Sequence, residues 1–501
     1  MATSKAALAR SPTGIPRLDS ALQGGFPVGG VILLSGQAGT GKTMLAMRWL
    51  FAGAAQKEPG VYLTMTEPVS KLIKHSSTLT FYDPAAVDKG LLVLEDLRAS
   101  EGFLSLEKEV GKPGVEALVE DIKVLVKRTK AKRLALDSVT AICRFLNDAH
   151  LIRHFIFKLG TVLSYLGCTA LLVSEVTESN YSAYDVEEFI SDGIIHLERG
   201  KHGGARTLEI VKMRGTSFEG APQRYKITAD GITFYEQPSF DVGKLSTERL
   251  ASGIQGLDTM LCGGILKHSV TLLNGASGTG KSTFGLQFLI EGVRAGERCL
   301  LVNFEEAREQ LIRNMHTAFA QDLERLEKGG LLKVECVLPE SRSMLDHLDH
   351  ILSVMREFKP ERVVLDSLTA LEKVGGKTEL LSATKHLALA FKKGGATAML
   401  ITAGEAIMNE GAVTETRLST IPDNIILLRY VEIEANMRRF IAVLKQRGSD
   451  HDKELREYVI TTKGLEVHDP FKGMQGVFTG NVQQTMDRSA LVQAFHDLAK
   501  G

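Results

Sequence analysis

Short apolar runs alternate with longer amphipathic stretches in both halves of the chain. Such runs occupy residues 31–35, 60–66, 133–137 and 169–174 in the first half, and residues 270–274, 299–304, 362–366 and 397–402 in the second half. Their length predicts buried strands, and the stretches between them predict helices. Strands separated by helices are typical of a mostly parallel sheet with helices on both faces. The pattern therefore predicts the α/β fold class.

The second half of the chain repeats the first half at a constant distance. Residues 13–15 correspond to residues 252–254, and the distance of 239 residues (252 − 13) persists as far as Lys42 and Lys281 (281 − 42). This indicates a duplicated domain, because the units of solenoid proteins are only about 20–50 residues long. We predict a first domain over residues 1–238, a second over residues 239–475, a tail over residues 476–501 and a linker near residues 236–243.

Each half carries a glycine-rich loop of the form GxxxxGK[ST] between an apolar run and a helical stretch. Residues 36–43 read GQAGTGKT, and residues 275–282 read GASGTGKS. Such a loop points backbone N–H groups at phosphate oxygens, and the helix N-terminus that follows favours the same negative charge. Strand, loop and helix in this order are the context that the motif requires, so we predict two ATP sites. The expected ATP contacts are Gly36, Gly39, Thr40, Gly41, Lys42 and Thr43 in the first loop, and Gly275, Ser277, Gly278, Thr279, Gly280, Lys281 and Ser282 in the second.

Asp137 and Asp366 each end an apolar run and are each followed by serine. The carboxyl ends of parallel strands meet at the edge of the sheet where phosphates bind, so a carboxylate there reaches Mg²⁺ held on the phosphates. The hydroxyls of Thr43 and Ser282 are expected to bind the same ion. A strand-ending aspartate is otherwise commonly a helix cap, and its pairing with a phosphate loop favours the metal role. Glu305 is a further candidate metal ligand.

Two adjacent acids, Glu305 and Glu306, follow a strand of the second half. A carboxylate at this place could take a proton from water, or from a hydroxyl that attacks the γ-phosphate. The first half has Thr66 and Glu67 at the equivalent place (305 − 66 = 239), so it keeps one acid of the pair. We predict that Glu305, Glu306 and Glu67 are catalytic. The alternative is that these acids are solvated and only favour a helix start.

A basic tripeptide ends a strand-like run late in each half. Residues 212–216 read KMRGT, and residues 445–449 read KQRGS. Because side chains alternate along a strand, the Lys and Arg of each tripeptide share one face. Cations so placed often act in trans on a neighbour's γ-phosphate, which implies a ring of subunits, whereas solvated edge-strand charges are the alternative. The ATP contacts predicted here are Lys212, Met213, Arg214, Thr216, Lys445, Arg447, Gly448 and Ser449.

Composition narrows the function class further. Lysine plus arginine and aspartate plus glutamate number 60 each, so no bulk positive charge points to nucleic acid as a standing partner. The five cysteines are widely spaced, mostly in apolar runs, and none form a CxxC pair, which fits reduced thiols in a cytoplasm. No apolar run reaches the ~18 residues of a membrane span. We therefore expect a cytoplasmic protein that is not bound to a membrane.

The chain resembles the KaiC family of double-domain, RecA-like ATPases and autokinases of the circadian clock. The similarity extends over nearly the whole chain and includes both phosphate loops. The adjacent Ser419 and Thr420 lie where the family phosphorylates a Ser-Thr pair in its second domain. The other segments that carry the resemblance are residues 186–192 (VEEFISD), 206–216 (RTLEIVKMRGT), 304–306 (FEE) and 424–433 (NIILLRYVEI).

The resemblance implies two tandem RecA-like P-loop domains and a homohexamer of two stacked rings. The first ring would chiefly hydrolyse ATP, and the second would transfer phosphate to its own chain and remove it again. Ser419 and Thr420 would be the phosphoacceptors and Glu305 the general base, although without the resemblance the Ser-Thr pair would be interpreted as a turn or strand cap. The contacts implied from the adjoining subunit are Arg439, Lys445, Arg447 and His451.

Three features qualify this resemblance. Thr66 replaces a glutamate of the family, and Pro422 replaces a threonine shortly after the acceptor pair. Residues 471–501 resemble only loosely the segment through which a partner protein stimulates clock homologues. The tail and the first ring are thus the candidate places for regulatory protein partners.

Two other functions are open to a chain of this kind. A RecA-like DNA-dependent ATPase or recombinase would need a basic, glycine-rich DNA-binding loop, and the neutral net charge and single tryptophan offer it little support. A nucleotide-gated scaffold would bind ATP without turning it over. We therefore predict an ATPase and serine/threonine autokinase with ATP and Mg²⁺ as cofactors.

Overall fold

A computed structural model describes the chain as two compact units, Met1–Tyr235 and Glu236–Gly501. Of the predicted linker, residues 236, 241 and 243 are described; of the predicted tail, residues 483–484 are described, and the rest of both segments lies outside the described residues. The described residues are 8–176, 181, 191–200, 205–236, 241, 243, 246–319, 321–403, 417–433, 436–461, 464–470, 474–475 and 483–484.

The first unit is built on one nine-stranded sheet. Six neighbouring strands pair in parallel, and three further strands extend the sheet by antiparallel pairing. The strand that leads into the phosphate loop therefore lies inside the parallel part. In spatial order the strands are Gly231–Phe234, Gln223–Thr228, Arg206–Met213, Gly193–Arg199, Val31–Gly36, Thr169–Glu175, Arg133–Asp137, Gly60–Thr64 and Leu92–Asp96.

The second unit repeats this sheet with nine strands in the matching order. Its loop strand is again flanked by two parallel neighbours. In spatial order the strands are Leu332–Cys336, Cys299–Asn303, Arg362–Asp366, Thr397–Ala403, Val270–Gly275, Asn424–Ile433, Asn436–Gln446, Arg456–Thr461 and Gly464–Pro470. Short two-stranded pairs form between Arg10–Ser11 and Phe26–Pro27, between Arg249–Leu250 and Ile265–Leu266, and between Met474–Gln475 and Gln483–Gln484.

Helices follow the strands along the chain, as the alternating sequence pattern predicts. In the first unit they are Pro16–Ala21, Lys42–Ala55, Val69–Ser76, Pro84–Asp88, Glu101–Lys108, Lys112–Thr129, Val139–Leu146 and Ala149–Tyr165, with a 3₁₀ turn at Leu97–Ala99. In the second unit they are Gln255–Met260, Lys281–Arg294, Arg308–Phe319, Leu323–Lys328, Met344–Phe358 and Leu368–Lys393, with 3₁₀ turns at Pro339–Ser341 and Arg417–Thr420.

Both faces of each sheet are buried, and the loop strands show this most clearly. In Val31–Gly36, Leu33 packs into the apolar cluster on one face, whereas Ile32 and Leu34 pack into the cluster on the other. This alternation follows from the two-residue period of a strand. It explains why the sequence shows continuous apolar runs rather than a polar alternation. The predicted α/β fold, a mostly parallel sheet with helices on both faces, is confirmed in both units.

In the part of the chain that the structure describes, none of the helices combines the length and the apolar character that a bilayer crossing requires.

Candidate active sites

Each phosphate loop joins a buried strand to a helix at the carboxyl edge of its sheet. The first loop leads from Val31–Gly36 into a helix that begins at Lys42, and the second loop leads into a helix that begins at Lys281. The residue before each helix is a glycine in the left-handed region, Gly41 with φ 93° and Gly280 with φ 91°. Residues that carry a Cβ atom rarely adopt this backbone conformation. The loop therefore needs glycine there to turn its N–H groups inward.

A tyrosine from the antiparallel part of the sheet holds each loop in place. The Tyr225 hydroxyl donates to the carbonyl of Thr40 at 2.5 Å, and the Tyr458 hydroxyl donates to the carbonyl of Thr279 at 2.5 Å. Both tyrosines are buried. The antiparallel extension of each sheet therefore supports the phosphate loop. Neither tyrosine is among the predicted site residues, although a tyrosine at matching places in the two halves is a usable signal.

The two loop lysines turn back into their own loops. Lys42 Nζ donates to the carbonyls of Gly36 at 2.7 Å and Gln37 at 2.8 Å, and Lys281 Nζ donates to the carbonyl of Ala276 at 2.8 Å. Burial lowers the pKa of both lysines, and nearby carboxylates oppose that shift. Each ammonium thus lies inside the ring of backbone groups that would surround a phosphate.

The structure brings each strand-ending aspartate together with the hydroxyl of its loop. Thr43 Oγ1 donates to Asp137 Oδ2 at 2.6 Å, and the Ser282 hydroxyl hydrogen bonds to Asp366. Both aspartates are buried at the ends of strands that pair with the strand following the loop helix. A hydroxyl and a carboxylate oxygen side by side are the protein ligands that Mg²⁺ accepts beside phosphate oxygens and water. Both pairs could therefore hold a divalent cation.

Each hydroxyl–carboxylate pair offers a cation two protein ligands, so the remaining ligands would come from the phosphates of a nucleotide and from water. Among the described residues, no cluster of three or more His, Cys, Asp or Glu side chains forms a preformed metal cage. Mg²⁺ commonly binds through one or two carboxylates plus substrate phosphates, so this arrangement fits a cation that enters with its nucleotide.

Asp366 is a buried carboxylate that lies close to two further acids. Burial raises its pKa to about 6, and the carboxylates of Glu305 and Glu306 add to this shift. The Ser282 hydroxyl and the Lys281 ammonium oppose it. A buried carboxylate surrounded by further acids favours a bound cation, because the cation would offset their repulsion.

The predicted acids of the second site are fixed by a side chain at the end of their strand. Asn303 Oδ1 accepts the backbone N–H groups of Glu305 at 2.8 Å and of Glu306 at 3.0 Å. The Ser367 hydroxyl donates to Glu305 Oε1, and Asn314 Nδ2 donates to Glu306 Oε2 at 3.1 Å. Glu305 thus lies beside the residue that follows Asp366, whereas Glu306 faces a helix. Of the two acids, Glu305 is the one that contacts the metal-binding edge.

The first site has the same backbone turn but a different acid arrangement. Thr64 Oγ1 accepts the backbone N–H groups of Thr66 at 3.3 Å and of Glu67 at 3.2 Å. Glu67 Oε2 lies 3.8 Å from Lys71 Nζ and 3.9 Å from His75 Nδ1. Glu67 therefore matches Glu306 in position, and it faces the helix that follows. A cavity of about 440 Å³ lies here, lined among others by Gly39, Lys42, Thr43, Thr66, Glu67, Asp137 and Glu175.

A family model described as "ATPase: KaiC" matches the chain twice, at residues 11–239 and at residues 250–472. The chain belongs to the KaiC ATPase family. The predicted pair of tandem RecA-like domains is thereby confirmed.

Several KaiC proteins are similar to this chain over nearly its full length. The circadian clock oscillator protein KaiC of Parathermosynechococcus lividus is 36% identical over 97% of this chain and 91% of its own length. The circadian clock oscillator protein KaiC of Thermostichus vulcanus is 35% identical over 99% of this chain and 97% of its own length. The circadian clock protein KaiC3 of Synechocystis sp. (strain PCC 6803) is 36% identical over 94% of both chains.

The residues that the KaiC resemblance names as phosphoacceptors lie at the start of a central strand. Ser419 and Thr420 belong to the 3₁₀ turn Arg417–Thr420, shortly before the strand Asn424–Ile433, and Thr420 is exposed. Lys445 Nζ donates to the carbonyl of Ser419 at 2.9 Å, and an Arg447 N–H donates to the carbonyl of Thr420 at 2.7 Å. The acceptor segment is therefore tied to the basic tripeptide of its own domain.

The basic tripeptide of the first KaiC domain holds the matching segment. Lys212 Nζ donates to the carbonyl of Ser191 at 2.8 Å, and an Arg214 N–H donates to Asp192 Oδ1 at 3.3 Å. At Lys212 and Lys445 each strand pairs with one neighbour, because pairing with the outer strand is confined to residues 206–208 and 439–441. Solvated edge-strand charges therefore stay the alternative to a role in trans. These cations make contacts within their own domains, and their action on a neighbour's ATP stays a prediction.

The remaining predicted ATP contacts lie near these segments. Arg439 lies over the ring of Tyr430 at 5.4 Å, and the Tyr430 hydroxyl donates to the carbonyl of Gly278 in the second loop at 2.5 Å.

The other predicted contacts lie in turns or at strand ends. The Thr216 hydroxyl accepts from an Arg10 N–H at 2.6 Å, and the backbone N–H of His451 donates to the Asp450 carboxylate. Met213 ends its strand and is buried, while Arg447, Gly448 and Ser449 follow the strand Asn436–Gln446. Among these described residues, Arg439 contacts the phosphate loop of its own domain indirectly, through the ring of Tyr430.

Tyr62 is a further residue of the first site that the sequence analysis missed. Its hydroxyl donates to Asp137 Oδ2 at 2.5 Å, the same oxygen that accepts from Thr43. Burial, with the Asp137 carboxylate, raises the pKa of Tyr62 well above its ordinary value, so the hydroxyl stays a donor. The second half has Leu301 at the equivalent place (62 + 239), so this contact distinguishes the first site. A tyrosine in an otherwise apolar strand was the available signal.

Replacing Tyr62 by phenylalanine is expected to disturb the metal position of the first site. Loss of a partner that orients a metal ligand typically costs about 10–100-fold in metal affinity or activity. In a chain whose second loop is disabled by Lys281→Ala, we expect Tyr62→Phe to raise the Mg²⁺ concentration for half-maximal ATP turnover by about that factor. Tyr165→Phe, at an exposed tyrosine, is the control. An unchanged Mg²⁺ dependence would show that Tyr62 only packs.

Proposed function

We propose that this chain is an ATP-hydrolysing, self-phosphorylating serine/threonine kinase of the KaiC type. The observation that carries the proposal is the double site itself: two phosphate loops, each with a loop hydroxyl hydrogen bonded to a buried strand-ending aspartate. Membership in a family of ATPases supports hydrolysis. The kinase activity is supported by the KaiC resemblance of the Ser-Thr pair, which lies just before the strand beside the second loop strand.

ATP with Mg²⁺ is the nucleotide form that we assign to both sites. Thr43 with Asp137, and Ser282 with Asp366, would hold the ion against the β- and γ-phosphates. When bound, Mg²⁺ neutralises charge that develops on the phosphate oxygens. Lys42 and Lys281 would donate to the same phosphates from inside their loops. Positioning and electrostatic stabilisation of this kind carry most of the catalysis in phosphoryl transfer.

In the second site, Glu305 would accept the proton of the attacking hydroxyl. The hydroxyl oxygen of Ser419 or Thr420 forms a bond to the γ-phosphorus, the bond from that phosphorus to the β–γ bridging oxygen breaks, and ADP leaves. The Ser367 hydroxyl and the Asn303 side chain hold Glu305 at the edge of the sheet. We propose that the acceptor belongs to a neighbouring subunit, since the resemblance implies a ring with sites between subunits.

We expect the chain to assemble into a homohexamer in the presence of ATP and Mg²⁺. The motivation is the basic tripeptides, whose cations lie level with the start of the loop strand, at the other end from the phosphate loop of their own domain, and would complete a neighbour's site. Light scattering coupled to gel filtration should give the mass of six chains, about 328 kDa from 54.6 kDa per chain. A strict monomer at micromolar concentration, with nucleotide bound, would contradict the assignment of these cations to a neighbour's ATP.

The names of the relatives suggest the cellular role. Several are circadian clock oscillator proteins, so we propose a timing or signalling role for this chain. The widely spaced cysteines, without a CxxC pair, support the cytoplasm as its location. Regulatory proteins would act at the tail or on the first ring. The tail falls almost wholly outside the described residues, so this part of the proposal is carried by the resemblance.

One experiment separates the proposed function from its alternatives. Purified protein is incubated with ATP and Mg²⁺, with and without single-stranded DNA, while ADP release and the intact mass of the chain are followed together. We expect steady ADP release that DNA does not change, and added mass in steps of one phosphate. Turnover that requires DNA would favour a DNA-dependent ATPase, and ATP binding with neither turnover nor added mass would favour a nucleotide-gated scaffold.

A further inference from the structure

Glu175 is a carboxylate of the first site that none of the motifs includes. It ends the strand Thr169–Glu175, which lies directly beside the loop strand, and it pairs with Gly36, the first residue of the phosphate loop. In the second unit the residue that pairs with Gly275 is Ala403. The first site therefore has a carboxylate at a place where the second site has a methyl group.

The opposite exchange occurs after the strand that follows the loop helix. Glu305 of the second site corresponds to Thr66 of the first, whereas Glu67 and Glu306 match each other. Each site thus has two acids besides its metal-binding aspartate. They differ in the strand that carries the second acid.

The carboxylates that lie near the loop lysines show the same exchange. Asp366 and Glu305 are the carboxylates that interact electrostatically with Lys281. Glu175 and Asp137 are those that interact with Lys42, and all three line one cavity. Glu175 therefore takes the place beside its loop lysine that Glu305 takes in the second site.

Glu67 is directed away from this position. Its carboxylate lies 3.8 Å from Lys71 Nζ and 3.9 Å from His75 Nδ1, on the helix Val69–Ser76. Both Glu67 and Glu175 line the cavity that contains Lys42, but they lie on different elements. Of the two, Glu175 is adjacent in the sheet to the phosphate loop.

The backbone at Glu175 is well anchored. Its N–H donates to Thr140 Oγ1 at 2.8 Å, and that hydroxyl lies 3.1 Å from Ser174 Oγ. The next residue, Val176, donates its N–H to the carbonyl of Gly36 at 3.3 Å. A side chain that starts from a fixed strand end and points into a cavity can hold a water molecule in a defined place.

We propose that Glu175 is the catalytic carboxylate of the first site, where it positions the water that attacks the γ-phosphate and accepts its proton. This rests on the proposed function. The water oxygen forms a bond to the γ-phosphorus, the bond to the β–γ bridging oxygen breaks, ADP leaves, and one water proton passes to Glu175. Hydrolysis in the first site would thus not need a glutamate at position 66.

The test uses the full-length chain with the second loop disabled by Lys281→Ala. Glu175→Gln keeps the shape of the side chain and removes its charge, and we expect it to lower kcat for ATP hydrolysis by about 10²–10⁴-fold, the usual contribution of a general base. Affinity for a fluorescent ATP analogue should change by less than about threefold, because a base contributes to the transition state rather than to binding. Glu198→Gln, at an exposed glutamate on the next strand, is the matched control and should leave kcat unchanged.

A second variant tests the exchange directly. Adding Thr66→Glu to the Glu175→Gln chain restores an acid at the place that Glu305 occupies in the second site, and we expect it to recover part of the lost turnover. An unchanged kcat in Glu175→Gln would overturn the proposal. So would a loss of nucleotide affinity with kcat retained, which would show that Glu175 only neutralises Lys42. If the Lys281→Ala parent binds ATP but does not hydrolyse it, the proposed function of the first site fails, and the assignment of Glu175 fails with it.

Discussion

Replacing the two loop lysines one at a time is expected to separate two activities in one chain. We expect Lys42→Ala to remove most steady-state ATP hydrolysis and to leave phosphate transfer to the chain, and Lys281→Ala to do the reverse. The physical reason is that each lysine donates inside its own loop and serves one site. Loss of a preorganised donor to the transferring phosphoryl group costs about 10²–10³-fold in kcat.

The measurement is ADP release and phosphate incorporation in the same sample. Lys89→Ala and Lys328→Ala, at exposed lysines in the first and second units, are the matched controls. Nucleotide-free thermal unfolding of each variant checks that the units stay folded. Equal loss of hydrolysis from both loop variants would reject the functional difference between the two sites. The acids predict this difference, since the second site has Glu305 where the first has Thr66.

Replacing Glu305 by glutamine is expected to reduce phosphate transfer to the chain by about 10²–10⁴-fold. Glutamine can still accept from Ser367, but it cannot take the proton of an attacking hydroxyl. Glu305 also raises the pKa of Asp366, so its loss should weaken the repulsion around the metal-binding aspartate. We therefore expect nucleotide binding to persist while transfer is lost.

The initial rate of phosphate incorporation after mixing with ATP and Mg²⁺ checks this expectation. Glu309→Gln, four residues along the chain and exposed on the following helix, is the matched control. Glu306→Gln is informative as well. Glu306 accepts from Asn314, and a smaller loss is expected there. A Glu305→Gln chain that incorporates phosphate at the original rate would show that another group takes the proton.

The sequence alone predicts those parts of the site whose residues are close together in the chain. Both phosphate loops, the strands before them and the strand-ending Asp137 and Asp366 follow from local spacing, because a GxxxxGK[ST] loop needs a strand before it and a helix after it. The repeat distance of 239 residues also revealed the exchange of Glu305 for Thr66. Local patterns were therefore sufficient for the fold and for the position of both loops at the carboxyl edge of their sheets.

The residues that the sequence analysis missed depend on which strands become neighbours. Glu175 lies beside Gly36 only because its strand pairs with the loop strand, and Tyr62 reaches Asp137 across two neighbouring strands. Strand order is set by tertiary packing and not by local periodicity. The partners of Lys212 and Lys445 could not be predicted for the same reason. Their carbonyl acceptors belong to segments about 21–26 residues away in the chain.

The identity of the labelled residues after incubation with γ-labelled ATP tests the central claim most directly. Wild-type protein and the Lys281→Ala variant are incubated with ATP and Mg²⁺, digested, and mapped by mass spectrometry. We predict phosphate on Ser419 and Thr420 in the wild-type protein and on neither in the Lys281→Ala variant. Phosphate absent from both residues of the wild-type protein, or present at the same level in the variant, would contradict self-phosphorylation at the second site and leave an ATPase.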